Sequence, residues 1–225
     1  MPPMRTLFHI WLSPQCRKIR LQLAAKALDF EMTVEKVWDR RPEFLAINPA
    51  GSVPVLVEPD GRVIAGHNAI AEYIEEVYPE PSLIGADPGA RAEVRRLVGW
   101  FDEKFGQEVT ENLVNEKIMK RFLGMGEPNS SAIRAGLTNI HHHLDYLTWL
   151  IERRKWLAGD DFSLADIAAA AHLSAVDYLG DVPWDDHEAA KEWYMKVKSR
   201  PAFRPLLADS IPGCPPPKHY ADLDF

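Results

Sequence analysis

Over residues 5 to about 78, short apolar runs alternate along the chain with stretches of helical periodicity. The first run covers residues 7–11, and the apolar positions from Ile19 to Leu28 then recur at the spacing of a helix. The other elements predicted here are strands over residues 33–37, 55–57 and 62–64 and a helix over residues 69–77. This alternation indicates a domain built from a small sheet and helices.

After residues 78–82, whose prolines break the periodicity, the pattern is helical throughout. Residues 89–123 carry apolar positions three and four apart, which predicts one helix about 50 Å long at 1.5 Å per residue. The other helices predicted cover residues 130–154, 186–199 and 201–207. Ser163 and Asp166 have the spacing of a capping box at the start of an alanine-rich, buried helix.

These changes in pattern divide the chain into three segments. Residues 1–80 form the sheet-containing domain, residues 88–208 an all-α domain, and residues 209–225 a tail. The tail is rich in proline, which favours an extended polyproline conformation, and it ends in aromatic and acidic residues. We expect an extended docking tail, since this make-up is typical of a linear docking motif. The alternative is a tail that folds back and only covers surface.

Composition excludes several classes of function. Of the 225 residues, 46% are hydrophobic and seven are tryptophan, as in a globular protein. The formal net charge of −7 speaks against a nucleic-acid partner, because the chain as a whole repels phosphate. No apolar run has the length of a membrane span and no signal peptide is recognisable. We therefore expect a cytoplasmic protein that does not span a membrane.

The cysteines and histidines do not have the spacing of a metal site. Cys16 and Cys214 are too few for a disulfide framework or a zinc site. Residues 141–143 are three consecutive histidines, which on a helix point about 100° apart and cannot converge on one ion. We expect no metal.

Ser13 and Cys16 are the candidate catalytic residues, because they stand at the predicted start of the first helix. Unpaired backbone N–H groups, the positive end of the helix dipole and Arg17 would all favour an ionised hydroxyl or thiol there. The alternative is that Ser13 is a turn residue and Cys16 a small buried one. The residues alone leave both interpretations open.

Two further features indicate a surface for binding a partner. Trp38 follows the second predicted strand, and tryptophan is favoured at the centres of protein interfaces. Residues 110–121 extend the long helix beyond the predicted bundle and mix apolar with basic side chains. The alternative for this helix end is a solvated face that packs on the next helix.

Two motifs resemble the thioredoxin-like half of the glutathione transferase superfamily. They are Leu-Ser-Pro-Gln-Cys-Arg at residues 12–17 and Asn-Pro-Ala-Gly-Ser-Val-Pro-Val-Leu at residues 48–56. The resemblance implies a thioredoxin-like domain followed by the all-α domain of that superfamily. It also implies that Pro54 follows a cis peptide bond, that the backbone of Val53 binds the cysteinyl group of glutathione, and that the first motif stands where redox relatives carry two cysteines.

The chain departs from the superfamily where the γ-glutamyl group of glutathione would bind. Gly66 and His67 replace the Glu and Ser of the usual Glu-Ser-x-Ala-Ile motif, so both contributing side chains are changed. Each lost charge-assisted hydrogen bond costs about 1.5–3 kcal/mol. We therefore expect glutathione to bind weakly or not at all, and no cofactor. The candidate ligand-binding residues are Ser13, Val53, Pro54, His67 and Asn68.

Residues 91–102, 180–184 and 218–225 resemble a bacterial cell-division branch of the same superfamily. This resemblance implies a homodimer at the division site that binds filaments of the tubulin-like GTPase FtsZ, affects their bundling and curvature, and links the division ring to cell-wall synthesis and constriction. The tail would contact FtsZ or a cell-wall synthesis protein. The residues expected to contact partners are Trp38, Leu113, Lys117, Lys120, Arg121, Tyr220, Asp222, Leu223 and Phe225.

Two functional hypotheses follow from these observations. The first is a non-catalytic adaptor that acts through its surfaces. The second is a glutathione-dependent transferase that uses Ser13 or Cys16 to stabilise the thiolate of glutathione. A redox relay through Cys16 ranks below both, because no second cysteine lies near it in the sequence.

Overall fold

A four-stranded sheet forms the N-terminal half of the computed structural model, which describes residues 4–211 and 213–223. The strands are β1 (Arg5–His9), β2 (Phe30–Val34), β3 (Val55–Val57) and β4 (Val63–Ala65). Their order is β2-β1-β3-β4, with β1 parallel to β2 and antiparallel to β3, and with β3 antiparallel to β4. This mixed sheet confirms the predicted thioredoxin-like domain.

Strand β2 begins three residues earlier than the sequence predicts. Phe30 is already paired with β1, and the pairing ends at Val34. The Glu35 N–H still donates a hydrogen bond to the His9 carbonyl at 2.9 Å, and the buried Glu35 carboxylate accepts one from Arg41 Nη2 at 2.6 Å through its Oε2. The apolar side chain of Val34 is exposed, so hydrophobicity did not mark the position of this strand correctly.

Three helices accompany the sheet: α1 (Pro14–Ala25), α2 (Pro42–Ile47) and α3 (His67–Val77). Helix α1 begins where it does because Ser13 caps it. The Ser13 Oγ accepts a hydrogen bond from the backbone N–H of Cys16 at 3.3 Å, and Pro14 has no N–H to satisfy. The predicted start of this helix is confirmed.

One continuous helical stretch runs through the first part of the C-terminal half. It consists of α4 (Pro88–Gly99), a π-helical segment (Trp100–Met119) and α5 (Lys120–Leu123). The sequence predicts the length of this stretch but not its π-helical part, which we call the π segment. Buried positions recur in it every four or five residues, from Phe101 to Ile118. That spacing suits hydrogen bonds between residues i and i+5.

The remaining helices are α6 (Ser130–Ile151), α7 (Leu164–Asp177), α8 (Glu188–Lys198) and α9 (Arg204–Leu207). Every residue of α7 is buried, and the predicted capping box at its start is present. The Asp166 Oδ2 accepts a hydrogen bond from the Ser163 N–H at 3.1 Å. In the part of the chain that the structure describes, each helix is too short or too polar to cross a membrane.

Buried ion pairs connect α1 with the C-terminal half. Arg17 donates a hydrogen bond to the Ser174 Oγ on α7 at 2.8 Å. Arg17 and Arg20 also pair with the carboxylate of Asp209, which follows α9, at 3.1 and 2.7 Å. Removing one partner from such a buried cluster would leave charge without compensation. These contacts hold α1 of the N-terminal half against α7 and against Asp209 of the C-terminal half.

The tail folds back onto the body of the protein. Its described residues include a short 3-10 helix, Lys218–Ala221, and the ring of Tyr220 is completely buried. The Tyr220 hydroxyl donates a hydrogen bond to the Leu206 carbonyl at 3.1 Å, and its ring lies edge-on to Tyr178 at 5.2 Å between centroids. The expectation of an extended tail that presents Tyr220 to a partner is therefore wrong. Tyr220 is a core residue.

Candidate functional site

A cleft of about 320 Å³ lies between the N-terminal domain and the π segment. Its walls are the loop between β1 and α1, the loop before β3, and the facing side of the π segment. Of the residues predicted from the sequence, Ser13 and Val53 line this cleft. The predicted residues outside its lining are Cys16, Pro54, His67 and Asn68.

Ser13 presents a hydroxyl to the cleft at the positive end of α1. The side chain is half-buried, and its Oγ donates a hydrogen bond to the Gln15 Oε1 at 3.2 Å while it caps the helix. This geometry would stabilise an anion beside Ser13 through the helix dipole. No general base contacts the hydroxyl among the residues that the structure describes.

Cys16 is buried in the core and does not reach the cleft. Burial raises the pKa of its thiol to about 11, although hydrogen bonds from Ser13 and Ile10 and the charge of Arg20 lower it in part. A reactive cysteine needs a lowered pKa and access to solvent. Of the two interpretations, the structure therefore supports a small buried residue and contradicts an activated thiol.

Val53 contributes main-chain groups to the cleft. The Val53–Pro54 peptide bond is cis, as the resemblance implies, and the Pro54 carbonyl accepts a hydrogen bond from the Gly66 N–H at 3.1 Å. The N–H and C=O of Val53 itself make no hydrogen bond within residues 4–211 and 213–223. They are free to pair with a ligand.

His67 and Asn68 contact a buried lysine that sequence reasoning missed. The Nζ of Lys18, on α1, lies 2.9 Å from the His67 Nδ1 and 3.2 Å from the Asn68 Oδ1, and it forms an ion pair with Asp102 of the π segment. Nothing in the local pattern of α1 distinguishes Lys18 from a solvated lysine. The side chains at the start of α3 are thus engaged within the protein.

Asp102 connects this cluster to the cleft. Its side chain is only 3% exposed, and its Oδ1 lies 3.4 Å from the His172 Nε2, outside hydrogen-bonding geometry. Burial alone would raise the pKa of Asp102, but contacts with His172 and His67 and the charge of Lys18 lower it well below its usual range. Asp102 is therefore ionised at neutral pH.

The charged side chains in the described lining of the cleft do not include a cation. Among the described residues that line it, the charged side chains are Asp102 and Glu111, both acidic. Glutathione carries two carboxylates and one ammonium group, and its carboxylates would have to be bound by cations or by backbone N–H donors. In the described chain, no group of three or more His, Cys, Asp or Glu side chains is placed so that it could hold a metal ion.

A second candidate site lies at the end of the long helical stretch. Trp38 stacks on Phe122 of α5, with 6.3 Å between ring centroids and 11° between planes. Phe122, Leu123 and Met125 are all exposed, and Met125 keeps 63% of its accessible surface. We call Trp38, Phe122, Leu123 and Met125 the aromatic tip. Trp38 itself is half-buried, and the exposed apolar side chains around it make the tip a candidate surface for interaction.

The predicted basic residues near the aromatic tip differ in their availability. Arg121 is exposed, and Lys120 forms an ion pair with Glu116 at 2.7 Å while keeping 24% of its side-chain surface exposed. Lys117 instead binds both carboxylate oxygens of Asp181 at 2.7 Å, which holds it against the loop after α7. Lys120 and Arg121 therefore remain candidate contacts.

Leu113 is not a contact residue, contrary to the sequence prediction. It is completely buried and packs against Gly136 of α6, where an added Cβ would lie 2.8 Å from the Leu113 Cγ. The two helices are thus too close for any larger residue at position 136. The buried apolar side chains of the π segment pack in the core. This agrees with the alternative interpretation, in which this helix end packs on the next helix.

For two of the predicted tail residues, Asp222 and Leu223, contact with a partner stays a prediction. Asp222 is exposed and Leu223 is half-buried. Phe225 lies outside the described residues. Together with Trp38, Lys120 and Arg121, Asp222 and Leu223 are the predicted partner residues that the structure places on the surface.

Comparison with known proteins identifies the family. The chain matches the glutathione S-transferase N-terminal domain over residues 12–77 and the C-terminal domain over residues 113–201. It is 53% identical to FtsZ-localized protein A of Caulobacter vibrioides (strain NA1000 / CB15N), and the match covers 98% of each chain.

Two solved structures extend this similarity to the fold. A glutathione S-transferase from Rhodospirillum rubrum F11 is 61% identical with a TM-score of 0.97, over 99% of this chain and all of that one, 100%. FzlA from C. crescentus is 52% identical with a TM-score of 0.95, again over 99% and 100%. The chain belongs to the glutathione S-transferase family.

Proposed function

We propose that this chain is a non-catalytic adaptor that binds FtsZ filaments in the cytoplasm at the division site. The observation that carries the proposal is its 53% identity, over 98% of both chains, to a relative whose name places it at FtsZ. The buried thiol of Cys16 and the acidic lining of the cleft support a role other than glutathione chemistry.

In this proposal the aromatic tip is the contact surface for FtsZ. Trp38 and Phe122 offer a stacked apolar anchor, and Lys120 and Arg121 place positive charge beside it. Aromatic anchors carry most of the binding energy in many interfaces, and flanking charges mainly set orientation and the rate of association. The tip thus has the composition of a hot spot on a chain whose net charge is −7.

A homodimer would present two aromatic tips and could bridge neighbouring filaments. Linking two weak contacts raises the overall affinity through effective concentration, without any new contact. This would explain how the protein affects the bundling and curvature of filaments. The described tail residues around Asp222, which lie on the surface, would then connect the division ring to cell-wall synthesis and constriction.

Cosedimentation with FtsZ of Caulobacter, assembled with GTP, tests the contact surface. We expect Trp38→Ala and Phe122→Ala each to weaken pelleting about thirtyfold, because removal of a hot-spot aromatic costs about 2 kcal/mol or more. The matched control is Trp149→Ala, since Trp149 is also an exposed tryptophan, 48% accessible, but lies on α6 away from the tip.

The size of each variant in solution is measured alongside, because loss of a dimer would also weaken binding. Pelleting of Trp38→Ala and Phe122→Ala at the wild-type level would refute the assignment of the tip. Equal weakening by Trp149→Ala without a change of size would refute it as well.

The second candidate function is a glutathione-dependent transferase. It is favoured by the 61% identity to a structure named a glutathione S-transferase and by the Ser13 hydroxyl in the cleft. Calorimetric titration with glutathione decides between the two. Saturable binding that Ser13→Ala abolishes would support the transferase, whereas we expect weak binding or none, because the described residues that line the cleft include no cation.

A further inference from the structure

The three consecutive histidines of α6 have different surroundings. His143 is buried, and its Nε2 lies 3.0 Å from the Glu108 Oε2 of the π segment, whereas His142 is exposed. His141 instead contacts His187, the residue before α8. The His141 Nδ1 lies 2.9 Å from the His187 Nε2, and the ring centroids are 5.1 Å apart. We call His141 and His187 the histidine pair.

The histidine pair joins α6 to the start of α8. His187 follows the 3-10 helix Trp184–Asp186 and directly precedes α8. Its carbonyl accepts a hydrogen bond from the Lys191 N–H at 2.9 Å, which closes the first turn of α8. The side chain of His187 is only 7% exposed. A change in the hydrogen bond of the pair therefore acts on this first turn.

The hydrogen bond between the two imidazoles limits the number of protons that the pair can hold. In a neutral imidazole one ring nitrogen donates and the other accepts, so the neutral pair has one N–H···N bond. One added proton leaves an acceptor on the other ring and makes the bond charge-assisted, which strengthens it. A second added proton places an N–H group opposite an N–H group. The bond is then lost, and two positive charges face each other.

The charges around the pair favour the first added proton. The Asp145 Oδ1, on the same helix as His141, lies 3.4 Å from the His187 Nδ1, and Asp186 precedes His187 in the chain. The other titratable groups next to the pair on the two elements are His142, Glu188 and Lys191. Among these groups the carboxylates outnumber the single ammonium group, and nearby carboxylates favour a protonated imidazole.

Burial acts against the second proton. The pKa of His187 is lowered by burial and by the charge of His141, although Asp145 and Asp186 raise it in part. A histidine whose folded-state pKa lies below its unfolded value of 6.5 adds stability that is fully present above pH 6.5 and is lost as the pH falls. The contact between α6 and the start of α8 therefore loses stability in acid.

From this geometry we infer that the histidine pair is a pH-sensitive switch at the start of α8. With no added proton or with one, the pair joins α6 to the residue before α8. With two, the rings separate and the first turn of α8 opens. Trp184 stays in place, because its indole N–H donates a hydrogen bond to the Asp177 Oδ1 at 2.9 Å. The inference does not depend on FtsZ binding, and its test needs no partner.

Hydrogen exchange of backbone amides, followed by NMR on the full chain, tests the switch. The Lys191 N–H reports the first turn of α8. The Arg17 N–H, which donates to the Ser13 carbonyl at 2.9 Å in the first turn of α1, reports general unfolding. Between pH 7 and pH 4.5, the protection of Lys191 relative to Arg17 should fall at least about tenfold, the effect of losing one hydrogen bond to a charged group.

Two variants separate the pair from other effects of acid. His141→Leu should remove the fall in protection, because a protonated His187 then faces no second charge and keeps Asp145 beside it. The matched control is His142→Leu, which removes the next histidine of the same helix and should behave as the wild type.

The ring nitrogens of the wild-type protein give a second readout that needs no variant. Their NMR titration should show the pair taking up its two protons in steps at least about one pH unit apart, because the second proton costs the hydrogen bond.

Three results would overturn the inference. They are the same fall in Lys191 protection in the wild type and in His141→Leu, two protonated rings at pH 5 with the protection of Lys191 unchanged, and an equal loss of protection at Lys191 and Arg17. The last would show that acid unfolds the whole chain and opens no local switch.

Discussion

At the scale of the residue, His9 shows how burial sets the chemistry of this molecule. It lies on the central strand β1 without exposed surface, and neither ring nitrogen has a hydrogen-bond partner in the described chain. Burial, together with the charges of Arg20 and Arg17, lowers its pKa to about 4, although the charge of Asp209 raises it in part. The ring contacts Trp11 edge-on at 4.6 Å between centroids. His9 therefore stays neutral in the folded protein.

This histidine predicts a pH dependence of stability. Its folded-state pKa lies below the unfolded value of 6.5, so its contribution is fully present above pH 6.5 and is lost as the pH falls towards 4. Between pH 7 and pH 5, the wild type should lose about 2 kcal/mol of unfolding free energy that His9→Phe does not lose. Urea denaturation at the two pH values measures this difference, and equal losses would contradict a neutral, buried His9.

At the scale of the element, the tail is the segment whose structure differs most from the sequence prediction. Its 3-10 helix places Tyr220 beside Arg17, whose guanidinium lies 6.0 Å from the ring centroid. Lys198 of α8 donates a hydrogen bond to the His219 carbonyl at 3.1 Å. The tail thus covers α1, α8 and α9 at once, and it contributes to the core as well as to the surface.

The stability of variants in the tail measures this contribution. Tyr220→Ala should lower the unfolding free energy by about 3–5 kcal/mol, as expected for deletion of a buried aromatic ring. Lys218→Ala, an exposed position of the same short helix, should change it by less than about 0.5 kcal/mol. If the two variants were equally stable in urea, the tail would not be packed as described.

Most elements could be predicted from the sequence because their signals are local. The Ser163 and Asp166 box marks α7, and Ser13 with Pro14 marks α1. The bounds of strand β2 could not be predicted, because its apolar residue Val34 is exposed. The hydrophobicity of Val34 therefore does not indicate which residues of the strand are buried. The π segment was missed since its spacing of four and five differs little from that of an α-helix.

The site was less predictable because it depends on contacts between distant parts of the chain. Lys18 and Asp102 are 84 residues apart and belong to different domains, so neither appears as a site residue by itself. Phe122 was missed for the same reason, because its importance comes from stacking on Trp38. Tyr220 was misassigned because proline content describes the backbone of the tail and not where its side chains are buried.

At the scale of the whole molecule, the two halves form one body with two distinct surfaces. The cluster of Arg17, Arg20 and Asp209 joins them, and the cleft and the aromatic tip both arise where the N-terminal domain meets the long helical stretch. The charged side chains in the described lining of the cleft are acidic, whereas the aromatic tip is apolar with Lys120 and Arg121 beside it. In the proposed function, the aromatic tip is the surface that binds a protein partner.

The most direct measurement is cosedimentation of increasing amounts of the wild-type protein with FtsZ of Caulobacter. The proposed function predicts saturable pelleting with filaments assembled in GTP, and none with FtsZ kept unassembled in GDP. If the protein stayed in the supernatant at every concentration of filaments, the proposal that this chain binds FtsZ filaments would be contradicted.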